Sequence, residues 1–434
     1  MIIKRDLIET LKPFLKRKEF ISIVGPRQSG KSTFLGILKD YLCDELKVKK
    51  FMVKILTFED RKLFAQFDAD PVAFINSYIP ANPEGVFYLM IDEFQYSVNG
   101  GQKLKLIYDT VKNVRIFITG SSSLDIKAQA SRFMVGRMLN FYLFPFNFGE
   151  FLKVKNKRME RIYYQNSEEV FNLLFKERTL KEKSGSDVFS EEMIKLYEEF
   201  CIWGGYPAVI LSKNENERKK VIADIYNGYV LKDIKTLLDL ATENNLYLLS
   251  QYLATQTGNI TVYQNLCQTS GLNHRNLKKH LNILKETFIC REVKPFFKNR
   301  QKELSKNPKI YFIDMGFRNN LMENMIGLEK RSDAGAIIEN SVFIRLNELC
   351  ENMEKINFWR TKAGAEVDFV LHVRENAIPI EVKYSNFDSE KISKSLASFI
   401  DSFKPGHAVV LTKNYWGSSK RDKTKIFFAP VYYI

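Results

Sequence analysis

The sequence predicts an α/β protein whose amino-terminal third contains a parallel sheet sandwiched between layers of helices. Five short runs in this third are almost continuously apolar, as expected for strands that are buried on both faces. Segments with helical spacing separate most of these runs, and that alternation is typical of a parallel sheet. The five runs are Phe20–Val24, Phe51–Phe58, Val86–Ile91, Val114–Thr119 and Asn140–Phe144.

A glycine-rich segment follows the first run and fits the pattern Gly-x-x-x-x-Gly-Lys-Ser/Thr without a gap. The strand before it and the helix after it are the context in which this pattern closes backbone N–H groups around phosphates. We expect Lys31 to reach the β- and γ-phosphates of ATP and the Ser32 hydroxyl to ligate Mg²⁺. The segment consists of Gly25, Pro26, Arg27, Gln28, Ser29, Gly30, Lys31, Ser32 and Thr33.

Two adjacent acids, Asp92 and Glu93, end the third run, where a parallel strand meets the crevice that holds phosphates. We expect Asp92 to hold Mg²⁺, directly or through water, and Glu93 to polarise the attacking water. After the fourth run, Ser121 is expected to sense the γ-phosphate or to orient that water. Arg137 is a candidate arginine finger, acting in cis or from a neighbouring subunit, with a surface charge as the alternative.

The amino-acid composition and net charge indicate the size class of the protein, the charge of its partner and its cellular compartment. The 434 residues are 45% hydrophobic, which suffices for roughly three domains. A net charge of +15 favours an anionic partner, most often nucleic acid, although a dispersed surface charge is the alternative. Five isolated cysteines, a charged start and no apolar run of about 18 residues predict a reduced cytoplasmic protein that neither is secreted nor spans a membrane.

The sequence pattern predicts four domains. Residues 1–152 form the nucleotide-binding core, and residues 153–258 have helical spacing and are interpreted as a lid or connector. Residues 259–325 are interpreted as a winged helix-turn-helix. Its second helix, 273–286, exposes Arg275, Lys278 and Lys279, and a basic wing follows. These charges suit contact with the phosphates of duplex DNA, while a protein-packing helical module is the equal alternative.

Residues 326–434 carry a separate group of charged side chains. Glu339 shares a helical face with Phe343 and Leu346, so it is expected to lean toward the interior. Asp368 on one predicted strand, with Glu381 and Lys383 on the next, has the spacing of a metal-dependent nuclease site. The carboxylates would bind Mg²⁺ and the lysine would activate water. A buried ion pair or an inactive site is the alternative.

Taken together, these motifs resemble those of the prokaryotic AAA+ ATPases that carry a carboxyl-terminal domain of unknown function. The resemblance implies an AAA+ ATPase core, a winged helix and a PD-(D/E)xK nuclease-like fold. Two residues depart from the family pattern. Val367 stands directly before Asp368, where the name of the nuclease motif has a proline, and Ser121 stands where many AAA+ proteins have a polar amide side chain as a sensor. The matching segments are Gly25–Thr33, Ile91–Gln95, Thr119–Ser122, Gly136–Arg137, Leu143–Phe146, Phe148–Phe151, Gly204–Pro207, Lys309–Gly316, Glu339–Asn340, Glu366–Asp368 and Glu381–Lys383.

From the sequence we therefore expect an ATP-binding and Mg²⁺-dependent ATP-hydrolysing switch that engages DNA. One alternative is a metal-dependent nuclease that ATP gates. The other is a nucleotide-switch signalling or scaffold protein that holds a protein partner. Assembly into a homo-oligomer is left open by the sequence.

Overall fold

The computed structural model describes residues 2–81, 85–120, 133–176, 183–228, 243–297, 303, 306–350 and 355–434. The chain divides into two compact units. The amino-terminal unit comprises Met1–Pro145 and Glu286–Phe288, and the carboxyl-terminal unit comprises Phe146–Lys285 and Ile289–Ile434.

The amino-terminal unit is built on a five-stranded sheet with the strand order β2-β3-β4-β1-β5, in which every neighbouring pair is parallel. This confirms the predicted parallel sheet. The last strand begins and ends two residues earlier than its apolar run indicated. The strands are β1 (Phe20–Val24), β2 (Val53–Thr57), β3 (Phe87–Asp92), β4 (Val114–Gly120) and β5 (Met138–Tyr142).

The helices of this unit bury apolar side chains against the sheet. Phe34, Leu35 and Leu38 of the second helix are completely buried, and they belong to one core with Ile21 and Ile23 of β1. This packing fixes the start of that helix directly after the glycine-rich segment. The helices are α1 (Leu7–Leu11), α2 (Lys31–Asp44), α3 (Arg61–Ala69), α4 (Pro71–Tyr78) and α5 (Gly100–Thr110).

The first part of the carboxyl-terminal unit is mainly helical, as its spacing predicted. A capping box between Asn147 and Glu150 starts its first helix. The helices are α6 (Phe148–Lys155), α7 (Lys157–Phe175), α8 (Ser190–Trp203), α9 (Pro207–Ile210), α10 (Glu215–Tyr226), α11 (Glu243–Thr255), α12 (Tyr263–Ser270), α13 (His274–Glu286), α14 (Met315–Leu321), α15 (Ala334–Leu349) and α16 (Lys394–Phe403).

A nine-stranded mixed sheet forms the rest of this unit, in the order β6-β13-β14-β12-β11-β10-β9-β7-β8. The antiparallel pair β7–β8 follows α13, where the sequence predicts a wing, and β7 also pairs with β9 in parallel. The predicted wing strands are thus part of the same sheet as the strands after residue 326. The strands are β6 (Gly185–Ser186), β7 (Cys290–Pro295), β8 (Lys309–Phe312), β9 (Lys355–Arg360), β10 (Glu366–Val373), β11 (Asn376–Lys383), β12 (His407–Thr412), β13 (Tyr415–Arg421) and β14 (Thr424–Pro430).

Two motifs that are distant in sequence pack against each other in this unit. The buried Asp314 carboxylate accepts hydrogen bonds from the backbone N–H groups of Gly205, at 2.7 Å, and Phe317, at 2.8 Å. A Cβ atom at Gly316 would lie 2.0 Å from the carbonyl oxygen of Trp203. The turn after α8 and the start of α14 therefore approach so closely that a side chain at position 316 cannot fit.

We predict that Gly316→Ala destabilises the protein by roughly 2–3 kcal/mol, because the new methyl group must displace backbone atoms. Gly335→Ala is the matched control, since Gly335 is also the second residue of a helix and a Cβ atom there meets nothing within 4 Å. The control should gain about 0.5–1 kcal/mol from improved helix propensity. Urea unfolding of both variants measures the difference, and equal stabilities would contradict the proposed packing.

Candidate nucleotide site and a carboxylate cluster around a buried lysine

The glycine-rich segment closes around the ammonium group of Lys31. This group donates hydrogen bonds to the carbonyl oxygens of Gly25, at 3.0 Å, and Pro26, at 2.8 Å, and the residue is only 5% exposed. Gly30 has a φ of 93° and precedes the first residue of α2, a backbone conformation that favours glycine. The loop between β1 and α2 thus has the expected strand–loop–helix form.

Contacts at both ends hold this loop in place. A Cβ atom at Gly25 would lie 2.1 Å from the carbonyl oxygen of Leu143, so the chain after β5 requires glycine here. The buried Arg5 guanidinium donates to the carbonyl oxygens of Ser29, at 2.9 Å, and Phe144, at 2.6 Å. Sequence reasoning missed Arg5, because a basic residue near the amino terminus carries no signal for a partner more than a hundred residues away.

Asp92 and Glu93 lie at the carboxyl edge of the sheet, where β3 is separated by β4 from β1, the strand that leads into the loop. Thr119 at the end of β4 connects them, because its hydroxyl donates to the Asp92 carboxylate and accepts the backbone N–H of Glu93 at 3.2 Å. Thr119 also stands in register with Ile23 on the neighbouring β1. Parallel strands bring their carboxyl ends to one edge, so the two acids and the loop converge as predicted.

The Glu93 side chain is electrostatically part of the same site. Burial raises its pKa, while the nearby Lys31 charge and a hydrogen bond donated by the Gln95 amide oppose the rise. Glu93 also has a left-handed backbone, with a φ of 54°, which is an unusual conformation for a non-glycine residue. This conformation and the Gln95 contact fix the direction of the carboxylate, and neither was foreseen from the sequence.

Arg137 lies at the opposite end of the sheet. It precedes β5, its carbonyl oxygen accepts the backbone N–H of Phe20 at the start of β1, and its side chain contacts Asp109 at 3.2 Å. The loop instead follows the end of β1, about 15 Å away at 3.3 Å per residue. This position corrects the expectation of a finger acting in cis; action on a neighbouring subunit remains a prediction. Ser121 lies outside the described residues.

A second group of charges surrounds Lys309 in the carboxyl-terminal unit. The Lys309 ammonium is 2.6 Å from an oxygen of Glu366 and 3.1 Å from an oxygen of Glu339, and the residue is only 1% exposed. The same Glu339 oxygen accepts the Tyr311 hydroxyl. Glu339 therefore points inward, as its helical face predicted, and it meets Lys309 at the start of β8, a contact that no sequence pattern indicated.

Asp368, Glu381 and Lys383 lie on the neighbouring strands β10 and β11. The backbone N–H of Val382 donates to the Asp368 carboxylate at 2.7 Å, and the Lys383 ammonium lies 3.3 Å from one oxygen of Glu381. Burial, followed by the Glu339 charge, raises the pKa of Asp368 to about 7. The two strands thus bring these residues together in the register that their spacing predicted.

A metal site of Glu339, Asp368 and Glu381 stays a prediction. Within the part of the chain that the structure describes, no three or more His, Cys, Asp or Glu side chains are arranged to hold a metal ion. Mg²⁺ needs several oxygen ligands at about 2.0–2.1 Å. The Lys309 ammonium instead lies against two of the carboxylates of this region, Glu339 and Glu366.

The candidate DNA-binding helix, α13, has the amphipathic form that its sequence predicted. Leu277, Leu281 and Leu284 are buried in a core with α11, α12 and α14. The side chain of Asn273 accepts the backbone N–H of Asn276 at 2.9 Å and caps the helix. The opposite face exposes Arg275, Lys278 and Lys279. Of the predicted basic wing, Arg291, Lys294 and Lys306 are described, whereas residues 298–302 and 304–305 lie outside the described residues.

Three segments of the chain match models of protein families. Residues 17–152 match the model described as an AAA domain. Residues 194–331 and 334–432 match models described as domains of unknown function (DUF8612 and DUF4143), and these descriptions assign no activity.

Full-length relatives occur in bacteria and archaea. An uncharacterized protein of Haemophilus influenzae is 23% identical over 435 residues, which cover 99% of this chain and 97% of the relative. An uncharacterized protein of Methanocaldococcus jannaschii is 26% identical over 411 residues, which cover 90% of this chain and 79% of the relative. The AAA domain therefore occurs together with the following segments in these relatives.

Two solved structures are similar at low identity. The Walker-type ATPase PABY2304 of Pyrococcus abyssi is 14% identical with a TM-score of 0.45, covering 74% of this chain and 96% of that one. The Aeropyrum pernix ORC1 protein, in complex with DNA, is 13% identical with a TM-score of 0.30, covering 73% of this chain and 90% of that one.

Across the described residues, no helix is both long and apolar enough to cross a membrane.

Proposed function

We propose that the protein is an ATP-hydrolysing switch that engages duplex DNA. The observation that supports the hydrolytic part best is the convergence of Lys31, Asp92 and Glu93 at one edge of the sheet, with Thr119 between the two acids. These are the side chains that an ATPase needs to bind phosphates, to hold a metal ion and to direct water.

In this proposal the loop backbone and Lys31 hold the ATP phosphates. The Ser32 hydroxyl and the Asp92 carboxylate would hold Mg²⁺, which neutralises charge on the phosphates when it is bound. Thr119 keeps Asp92 oriented by its hydrogen bond. Glu93 accepts a proton from the attacking water, and the contact with Gln95 sets the direction of its carboxylate.

Engagement of DNA is inferred from charge and from the form of α13. The chain has a net charge of +15, and Arg275, Lys278 and Lys279 share the exposed face of a capped helix that follows a tight turn. Cations on such a face can contact phosphates along a duplex. We infer that the nucleotide state changes the affinity for DNA.

A nucleotide-switch scaffold remains the second candidate, because an amphipathic helix with a basic outer face can also hold an acidic protein. The nuclease alternative is not pursued, since Lys309 occupies the carboxylate cluster. The two remaining candidates differ in the rate at which they turn over ATP and in the salt dependence of their DNA binding.

Lys31→Ala should abolish ATP binding and reduce phosphate release to background, because the loop holds the Lys31 ammonium where the β- and γ-phosphates are expected to bind. Lys62→Ala, an exposed lysine of α3, is the control and should leave both unchanged. Calorimetry with Mg·ATP and a phosphate-release assay, with and without duplex DNA, provide the two measurements. Wild-type protein that binds ATP without turnover would contradict the hydrolytic part and favour the scaffold.

The rate of ATP hydrolysis should fall at acidic pH through the pKa of Glu93, because only the deprotonated carboxylate accepts a proton. Burial raises this pKa, so the fall should begin above the range of an ordinary glutamate, about 4.3. Gln95→Ala removes a hydrogen bond that lowers the pKa and should move the fall to still higher pH. Gln102→Ala, on the exposed face of α5, is the control. Identical single-turnover pH profiles for all three proteins would contradict this role of Glu93.

Lys278→Ala and Lys279→Ala should each weaken DNA binding about equally on unrelated sequences. Each should also reduce the slope of log affinity against log salt by about 1, because one phosphate contact and its released counterion are lost. Lys219→Ala on α10 removes an equally exposed charge elsewhere in the unit and should leave the slope unchanged. Fluorescence anisotropy across a salt series measures this, and a salt-independent affinity would favour the scaffold.

A further inference from the structure

We propose that Lys309 is the built-in cation of the carboxylate cluster and that it excludes divalent metal ions from the native protein. The cluster comprises Lys309, Tyr311, Glu339, Glu366, Asp368, Glu381 and Lys383. A chain that lacks the Lys309 ammonium is inferred to take up a divalent cation in its place. This inference concerns the carboxyl-terminal unit alone and does not depend on ATP hydrolysis.

The position of the Lys309 ammonium is the first support. It lies 2.6 Å from Glu366 and 3.1 Å from Glu339, distances that are typical of an ammonium–carboxylate pair. It also lies over the Phe358 ring, 5.4 Å from the centroid, which adds a favourable contact for a cation. Burial lowers the pKa of this ammonium, but the Glu339 and Glu366 charges outweigh burial, and the net shift is upward.

The partners of Lys309 are themselves held by other groups. The Glu339 oxygen that contacts Lys309 also accepts the Tyr311 hydroxyl. The second oxygen of Glu366 lies 3.1 Å from the Arg360 guanidinium. Both carboxylates are therefore oriented toward Lys309 rather than left to turn toward a metal ion.

Charge balance explains why removal of the ammonium should create a metal site. Four carboxyl groups belong to the cluster, on α15, β10 and β11, and Lys309 and Lys383 are its lysines. Carboxylates that are buried without a compensating cation are costly. Without Lys309, a divalent ion is the small species that restores the balance, and carboxylate oxygens are the ligands that Mg²⁺ and Mn²⁺ prefer.

A buried oxygen with no hydrogen-bond partner gives the second, independent support. Glu381 is only 2% exposed, and its Oε2 atom has no hydrogen-bond donor within reach. Its other oxygen lies 3.3 Å from Lys383, whose side chain is nearly half exposed. An unsatisfied carboxylate oxygen within this cluster can ligate a cation that the native arrangement does not admit.

The test compares Mn²⁺ binding by the full chain with and without the Lys309 charge. Lys309→Met keeps most of the apolar stem and removes the ammonium. All proteins also carry Asp92→Asn and are measured without nucleotide, so that the predicted Mg²⁺ ligand of the nucleotide site is removed from every sample. Calorimetry and electron paramagnetic resonance measure bound Mn²⁺, and thermal unfolding is recorded with and without the metal.

Lys309→Met should bind Mn²⁺ roughly tenfold or more tightly than the Lys309 protein and should be stabilised by it. Asp368→Asn added to Lys309→Met should remove the gain. Lys362→Met, an exposed lysine before β10, is the control and should bind no better than its parent. If Lys309→Met is unfolded alone, refolding in Mn²⁺ would support the proposal.

Three results would overturn the proposal. The first is saturable binding of Mn²⁺ by the Lys309 protein that Asp368→Asn abolishes, because the native cluster would then be a metal site. The second is a folded Lys309→Met protein that gains no affinity for Mn²⁺. The third is a Lys309→Met protein that remains unfolded when Mn²⁺ is present.

Discussion

A charged side chain that is buried away from water needs hydrogen-bonding or oppositely charged partners beside it, and this constraint applies in both units of the protein. Lys31 is held by the carbonyl oxygens of its own loop, and Arg5 ties that loop to the segment after β5. In the other unit, Lys309 joins β8 to α15 and β10. Arg318, which is completely buried, donates twice to the carbonyl oxygen of Ala254 and contacts Asp333. Each buried cation therefore determines which segments of its unit lie together.

The nucleotide site could be predicted from the sequence because nearly all of its information is local. The loop pattern follows one strand and opens one helix, and the acids end another strand of the same parallel sheet. The convergence of strand ends then follows from the topology. Thr119 connects Asp92 and Glu93 only because β4 lies between β3 and β1, and that order is not written in any local pattern. The left-handed conformation of Glu93 likewise arises from the surroundings rather than from its own preference.

The carboxylate cluster was predicted in part. The position of Lys309 among its carboxylates was missed, and this has a physical reason. The spacing on β10 and β11 correctly indicated that Asp368, Glu381 and Lys383 lie near one another, because a residue alternation of two fixes the face of a strand. No pattern in the sequence indicates that Lys309 is their neighbour. Lys309 precedes Glu339 by 30 residues, and the two meet because α15 packs against β8, which begins with Lys309. Local spacing predicts a strand that begins near Lys309, but it does not indicate which carboxylates that strand meets.

Strand β8 also connects α13 to the carboxylate cluster within the carboxyl-terminal unit. The buried face of α13 packs in one core with Cys290 of β7 and with Ile310 and Phe312 of β8, while β8 begins with Lys309. The helix that exposes the basic side chains therefore rests on a strand whose first residue is fixed by two carboxylates of the following segment. A movement of α15 or β10 would have to carry β8 along or break a buried ion pair, and the second course is strongly unfavourable. The candidate DNA-binding face and the carboxylate cluster thus lie in one compact unit and are connected through β8.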